Sequence, residues 1–324
     1  MTGSCPAPDP LPGSEASGLN ITDSTIKHEN SARLMRRASY AAVLVASVLI
    51  LVKTIAWLMT DSVAMLSSLV DSLLDVVASG INLIAIKHAL IPADAKHRFG
   101  HGKAEALAGL GQAVFIGGSA AFLLFEAAKS LFHLQEVQNE MIGISVMLVS
   151  ILLTIFLVSY QRYVVRKSGS IAVAAESIHY KADLLVNLGV IAGLSATMTL
   201  GWAIVDPLVA IAVALYISCC AWKISQTSYK MLMDHELPEE DRQRIKDIVY
   251  AHPQVHSMHD LRTRSSGLNT FIQLHLEMDG NMTLLEVHRI ADEIEHQVQA
   301  AFPNAEVMIH QDPEGVEEIP PHLT

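Results

Sequence analysis

Charge is scarce in this chain. Asp, Glu, Lys and Arg make up 17% of its 324 residues and 51% are hydrophobic, whereas a soluble domain is about 25% charged. The mean hydropathy of +0.35 points the same way, to a protein that buries much of its surface in lipid. Cysteine is scarcer still: Cys5, Cys219 and Cys220 show no CxxC spacing, which excludes a disulfide framework and leaves packing as the role of the adjacent pair in its apolar run. Residues 1–30 are rich in Pro, Gly, Ser and Asp and lack a basic start followed by an apolar stretch. They read as a disordered cytoplasmic tail and not as a signal peptide. A formal net charge of -11 argues against nucleic acid as a partner. No HExxH occurs, and no carboxylate stands apart as an obvious general base, which argues against a membrane-embedded metalloenzyme.

What the chain does have is long apolar runs. A helix needs about 20 mainly apolar residues to cross the hydrocarbon core, and six runs meet that need, at 34–59, 62–90, 104–134, 139–163, 173–200 and 203–226. Polar or glycine-containing breaks separate them: Thr60-Asp61, Pro92-Ala93-Asp94, Gln135 to Glu140, Ser168-Gly169-Ser170 and Gly201-Trp202. Arg33, Arg36 and Arg37 precede the first run; Lys87, Lys96, Arg98 and Lys103 flank the second connection; Arg162, Arg166 and Lys167 occupy the fourth; Lys223 and Lys230 follow the last run. The alternate connections, around Asp61, Gln135 to Glu140 and Gly201-Trp202, hold no Lys or Arg. The excess of cationic residues on one side places both termini in the cytoplasm.

After residue 234 the pattern becomes that of a soluble domain. A helix over Asp241 to Tyr250 precedes two alternating runs, Met258 to Arg264 and Phe271 to Met278, joined through Ser-Ser-Gly as a hairpin. Thr283 and Glu286 form a capping box that opens an amphipathic helix to about Ala300, and Ala305 to Gln311 supplies a third strand. The expected fold is therefore a membrane six-helix transmembrane bundle plus a cytoplasmic α+β domain of order αββαβ, an open-faced sandwich with both helices on one side of the sheet. The expected divisions are a tail at 1–30, the transmembrane domain at 31–234, a cytoplasmic regulatory or dimerising domain at 235–313 and a C-terminal tail at 314–324.

Three groups of side chains carry chemistry. In the second run Asp71 and Asp75 stand at i and i+4, and in the fifth His179 and Asp183 do the same, so each pair shares one helix face. Facing helices would gather one nitrogen and three carboxylates, a tetrahedral donor set for Zn²⁺. An ionised group in the bilayer costs about 2.5–3.5 kcal/mol even on the lenient insertion scale, so such groups usually mark an ion pathway. The plainer reading is that single members cap a kink or pair with Lys53 or Lys181. Asp94, His97 and His101 in the second connection form a second group. Their spacing fits one divalent ion with water, or equally a solvated loop made a weak site by Lys96, Arg98 and Lys103. A third group, His259, His275, His288, His310 and Asp312, is spread over the elements after the first soluble helix and makes a binuclear site with Asp312 bridging if the elements converge. Lone surface histidines are the alternative, and His252, His256 and His296 are read that way.

Several motifs together resemble the cation diffusion facilitator family, in its bacterial zinc and ferrous-iron efflux branch: Leu69-Val-Asp-Ser with Asp75, Phe99-Gly-His-Gly-Lys-Ala-Glu105, His179-Tyr-Lys-Ala-Asp183, His259-Asp-Leu-Arg-Thr-Arg264 and Ile309-His-Gln-Asp-Pro313. The resemblance runs from Ala32 to Pro313. It implies a transport site of Asp71, Asp75, His179 and Asp183, a loop metal site of Asp94, His97 and His101, and a cytoplasmic binuclear site of His259, His275, His288, His310 and Asp312 with the Gln311 carbonyl as a further ligand. It also implies a charge interlock of Lys103 with Asp234 near the interface of a homodimer and an apolar gate at Ile178. A histidine in the fifth-helix pair favours Zn²⁺ over Mn²⁺ by the family pattern and by ligand softness; Fe²⁺, Cd²⁺ and Co²⁺ are further cargo. The implied activity is metal export from the cytoplasm across a bacterial inner membrane, coupled to H⁺ because metal and protons compete for the same donors. No further protein partner is implied. The rival reading is a membrane metal sensor, which would need only the cytoplasmic group.

Overall fold

The computed structural model describes residues 14–60, 63–132, 141–200 and 205–315. Six long helices come first: α1 Ser14–Thr60, α2 Val63–Ala89, α3 Lys103–Phe132, α4 Met141–Ser168, α5 Ile171–Leu200 and α6 Val205–Leu232. They are followed by α7 Glu239–Tyr250, β1 Ser257–Ser266, β2 Asn269–Met278, α8 Leu284–Ala301 and β3 Ala305–Pro313. Among the described residues, α1, α2, α3, α4 and α6 each hold a stretch long and apolar enough to cross a membrane. The fifth, α5, carries Glu176, His179, Lys181 and Asp183 in its first half. The sequence-based fold class, a helical membrane domain followed by an αββαβ domain, is what the chain adopts. The connections expected at Asp61, Gln135 to Glu140 and Gly201-Trp202 lie outside the described residues, as do the expected C-terminal tail beyond Gly315 and Cys5.

One expectation needs correction. Composition predicts a disordered tail over 1–30, whereas α1 begins at Ser14 and runs unbroken to Thr60. Pro12 and Gly13 are the last breakers before Pro92 apart from Gly18 and Gly80. Extending an existing helix adds one bond per residue fixed and needs no new nucleus, so the apolar helix propagates backward through a polar segment.

The chain divides into two compact units, the first Ser31–Leu237 with Thr263–Thr270, the second Pro238–Arg262 and Phe271–Thr324 with Met1–Asn30. In the first, α3 packs on α6 and α5 through small residues. Ala113, Ala120, Ala175 and Ala221 form one buried cluster with Ile116, Ile217 and Ile224, the close approach that membrane helices need in the absence of a hydrophobic drive between them. Gly102, just before α3, could not carry a side chain: a Cβ there would lie 2.1 Å from the carbonyl oxygen of Ser266. In the same unit Lys103 Nζ meets Asp234 Oδ2 at 2.9 Å, with Arg264 Nη1 on the same oxygen at 3.5 Å. The pair expected from the resemblance is therefore formed within one chain.

The second unit holds most of a three-stranded sheet in the order β1-β2-β3, the hairpin end at Thr263–Thr270 belonging to the first. Gly267, at φ +62°, turns β1 into β2 in a conformation that side chains other than glycine rarely adopt. Ile272, Leu274, Leu276 and Met278 of β2 and Val307 of β3 bury against Ile245 and Val249 of α7 and Ile290, Ile294 and Val298 of α8. The sheet's other face is left for polar residues, the alternation expected of a half-covered sheet. At the start of α8 the capping box is complete: the Thr283 hydroxyl accepts from Glu286 N at 3.3 Å, and Glu286 Oε2 accepts from Thr283 N at 2.9 Å.

Candidate metal centres

Within the membrane unit, Asp75 of α2 and His179 and Asp183 of α5 each place a ligand atom within 4.8 Å of the others. His179 Nε2 lies 2.9 Å from Asp75 Oδ1 and 3.8 Å from Asp183 Oδ2. The i, i+4 spacing on α5 sets the second distance, and packing of α2 on α5 sets the first. The side chains are 5% (His179), 11% (Asp75) and 32% (Asp183) exposed, so the cluster is largely removed from solvent while Asp183 keeps one route open. Phe115 of α3 stacks edge-on against the His179 ring with centroids 5.4 Å apart. One imidazole nitrogen and two carboxylates is a borderline-soft donor set that suits Zn²⁺ and leaves a coordination position open.

A buried polar frame holds these ligands. Tyr180, next to His179, places its hydroxyl 2.9 Å from Ser79 Oγ of α2, one helical turn beyond Asp75. Gln161 Nε2 of α4 donates to Glu176 Oε2 of α5 at 3.1 Å, one turn before His179. Lys53 of α1 donates to Ser72 Oγ at 2.6 Å and to the Ser68 carbonyl at 3.1 Å. It thus fastens α1 to the turn of α2 that carries Asp71 and Asp75, and these two bonds are not to a carboxylate.

In the second unit Asp312, at the end of β3, is a buried hub. Its side chain is 6% exposed, and its oxygens meet His275 Nδ1 at 2.9 Å, His310 Nε2 at 3.1 Å and His259 Nε2 at 3.6 Å. The rings of His259 and His275 are 5.0 Å apart, and those of His275 and His310 4.6 Å. Three imidazoles from three strands around one carboxylate form a donor set of the zinc type.

In the connection between α2 and α3, Asp94, His97 and His101 converge in the same manner. Asp94 Oδ1 accepts from His97 N at 2.7 Å and Lys96 N at 2.8 Å, and these donated bonds hold its carboxyl below the usual carboxylate range. Its Oδ2 faces His101 Nε2 at 3.6 Å.

A membrane helix cluster of this kind followed by a ligand-bearing αββαβ domain matches two family descriptions. The cation efflux transmembrane domain covers residues 39–233 and the cation efflux protein cytoplasmic domain covers 237–314. The chain belongs to the cation diffusion facilitator family. It is 46% identical to Protein p34 of Rickettsia rickettsii (strain Sheila Smith) over 286 residues, 88% of this chain and 94% of that protein. It is 43% identical to the cation-efflux pump FieF of Klebsiella pneumoniae subsp. pneumoniae over 289 residues, 89% and 96% of the two chains. Among solved structures, the metal-bound C-terminal domain of the CzcD transporter from Thermotoga maritima is 29% identical, covers 24% of this chain and 93% of its own, and has a TM-score of 0.24. The chain is accordingly a multi-pass membrane cation-efflux protein, a transporter and not an enzyme.

Against that family frame, the structure gathers most of the expected ligands and leaves two aside. Asp71 stands one turn before Asp75 and is exposed, outside the three-residue cluster. His288 sits on the outer face of α8, 65% exposed, with its Nδ1 3.5 Å from Asp292 Oδ1; four residues along a helix set that pairing, and the cluster at the sheet lies elsewhere. Ile178 packs against the buried cluster of α3, α5 and α6. Sequence reasoning passed over Asp260 and Glu277. Glu277 Oε1 lies 3.3 Å from His259 Nδ1, and Asp260 Oδ2 lies 4.0 Å from His275 Nε2. Strand alternation puts Asp260 on the face opposite His259, but its φ of +47° breaks that alternation. Asp is among the few residues that adopt this conformation readily.

Proposed function

We propose that this protein exports Zn²⁺ from the cytoplasm in exchange for H⁺, with Fe²⁺, Cd²⁺ and Co²⁺ as further cargo. The observation that carries the reading is the cluster of Asp75, His179 and Asp183 inside membrane helices, a donor set that binds a divalent transition metal and that no structural need of the bilayer would place there. Asp71, one turn away on the same helix, is assigned as the fourth ligand, joining when α2 and α5 close around the ion. To ligate, His179 must be neutral and the carboxylates ionised, so an arriving ion displaces protons and departing ions are replaced by them. Alternation of the helices between inward-open and outward-open forms then couples an inward proton gradient to outward metal movement. Ile178 is assigned as the apolar gate beside His179.

The cationic connections support an orientation with both termini in the cytoplasm, and the proposed location is the inner membrane of a bacterium. The cytoplasmic domain is assigned a metal-regulated homodimer, with His259, His275, His310 and Asp312 as ligands, His288 and the Gln311 carbonyl completing a second ion, and Lys103–Asp234 as an interlock beside the interface. Filling a carboxylate-rich surface with cations lowers its self-repulsion and tightens the dimer. A sensor would have no use for the membrane cluster, which disfavours that rival. The test is metal uptake into proteoliposomes carrying an imposed pH gradient. Zn²⁺ uptake should cease when the gradient is collapsed and in Asp183→Ala; uptake that ignores the gradient would overturn antiport, and uptake that survives Asp183→Ala would overturn the site.

A further inference from the structure

We infer that His88, in the last turn of α2, is a fourth protein ligand that closes the loop metal site formed by Asp94, His97 and His101. This rests on the reading of that loop as a metal site and extends it. The His88 ring meets the His101 ring edge-to-face with centroids 4.8 Å apart, and the His97 ring lies 4.4 Å from His101 on its own contact. Two imidazoles on one tetrahedral Zn²⁺, each bound at about 2.0–2.1 Å, have ring centroids about 5 Å apart. The His88–His101 spacing is close to that of shared ligation, and the ligand atoms of His88 join those of Asp94, His97 and His101 when its side chain turns toward them.

The local hydrogen bonds prepare the site for a nitrogen ligand from this direction. The carbonyl of Ile91 lies 3.4 Å from His101 Nδ1. With the Nδ1 proton donated there, Nε2 is left as the metal-binding nitrogen, and it is Nε2 that faces Asp94 Oδ2. The turn that brings Ile91 into place is set by its N–H donating to the His88 carbonyl at 3.0 Å. The backbone of His88 therefore helps to fix His101, while its side chain is exposed and can turn toward the same ion. His88 also stands at the C-terminal end of α2, where the partial negative charge of the helix favours a bound cation.

The consequence is a change in the kind of site. Three ligands and an open position allow an ion to exchange readily, whereas four ligands form the closed arrangement of structural zinc. Lys96, Arg98 and Lys103 raise the local positive charge and weaken cation binding, and a third neutral imidazole adds affinity through a further bond while leaving that charge unchanged. A set of three imidazoles and one carboxylate also ranks Zn²⁺ and Co²⁺ well above Mn²⁺.

The experiment uses the full-length protein in lipid nanodiscs, with Zn²⁺ and Co²⁺ as probes. Bound ions are counted after dialysis, and Co²⁺ titrations are followed by visible d–d absorption, comparing the natural chain with His88→Phe and Asp94→Ala. Asp94→Ala should lose one ion per chain. His88→Phe should keep that ion but bind it more weakly by at least the about 10–100-fold that loss of an outer-shell partner costs, with a fall in the intensity assigned to tetrahedral Co²⁺. If Asp94→Ala loses its ion while His88→Phe binds Co²⁺ with unchanged affinity and spectrum, His88 is not a ligand and the loop site stands without it. If Asp94→Ala loses none, the loop site and its fourth ligand fall together, whereas the transport site is untouched. Ions retained at the other clusters report that each variant is folded.

Discussion

The membrane and cytoplasmic clusters draw on the same donors and bury them by opposite means. In the membrane unit the ligands come from helix faces, Asp75 on α2 and the i, i+4 pair His179 and Asp183 on α5. Inside lipid only a helix or a closed barrel satisfies its own backbone, so ligands there have to repeat with the helical period. In the second unit the donors come from β1, β2 and β3, and the buried member is the Asp312 hub while His310 stays 60% exposed. Strands in water are free to converge from distant parts of the chain, and the imidazoles retain solvent when no ion binds. The first cluster, with His179 and Asp75 nearly closed to solvent, is committed to an occupant, whereas the second is suited to graded occupancy.

The largest effect that tests this contrast is on transport. Asp75→Ala or His179→Ala should lower Zn²⁺ flux in proteoliposomes by at least about 100-fold, and Asp71→Ala by about tenfold, as loss of an outlying ligand would. Equal losses for Asp71 and Asp75 would show that Asp71 is a full member of the cluster during transport. Next in size, Asp312→Ala should remove the ions bound by the cytoplasmic domain while leaving flux at saturating metal within a few-fold of the natural chain. His288→Ala should leave at least one of those ions in place, read by counting zinc per chain. Flux abolished by Asp312→Ala would mean that the second cluster lies on the ion pathway, and the contrast between committed and graded sites would fail. Smaller again, Lys103→Ala should weaken the proposed dimer by about 0.2–1 kcal/mol, the range of an exposed pair, measured by concentration-dependent dissociation in detergent. Restoration by the paired swap Lys103→Asp with Asp234→Lys would assign the effect to charge.

How much of this was legible in the sequence follows the same divide. The membrane ligands were readable because helical period converts spacing directly into a shared face, and the capping box at Thr283 was readable because it is a local pattern. The start of α1 was misread because composition describes a segment by itself, and Ser14 to Asn30 takes its conformation from the helix that follows. The sheet cluster was half legible: His259, His275, His310 and Asp312 were named as candidates, but their convergence is long-range and their spacing carries no trace of it. His288 is a candidate of the same kind: its spacing does not tell whether the exposed face of α8 meets the sheet, and its place at the second ion is a proposal. Asp260 was missed because a positive φ at one residue reverses an alternation that the sequence presents as regular.

The most local expected effect lies at the first turn of α8. The Thr283 N–H and hydroxyl both reach the carboxylate of Glu286 at 2.9 Å, and the backbone bond from Thr283 holds the Glu286 carboxyl below its ordinary value. A carboxyl whose folded value is depressed adds stability that is present above its unfolded value, about 4.3, and that is lost as pH falls through the folded value. Amide exchange in the first turn of α8, taken relative to the intrinsic rate at each pH, should therefore be slow at neutral pH and quicken only below about pH 4. Thr283→Ala should raise it at neutral pH by an amount equal to about 1 kcal/mol, the cost of losing an N-cap. Glu286→Gln, which keeps a carbonyl acceptor but no charge, should remove the acid quickening while retaining most of the neutral-pH protection. If the cytoplasmic domain can loosen there without altering zinc flux, then local stability of the soluble unit and commitment of the membrane site are separable properties, as the contrast between the two clusters requires.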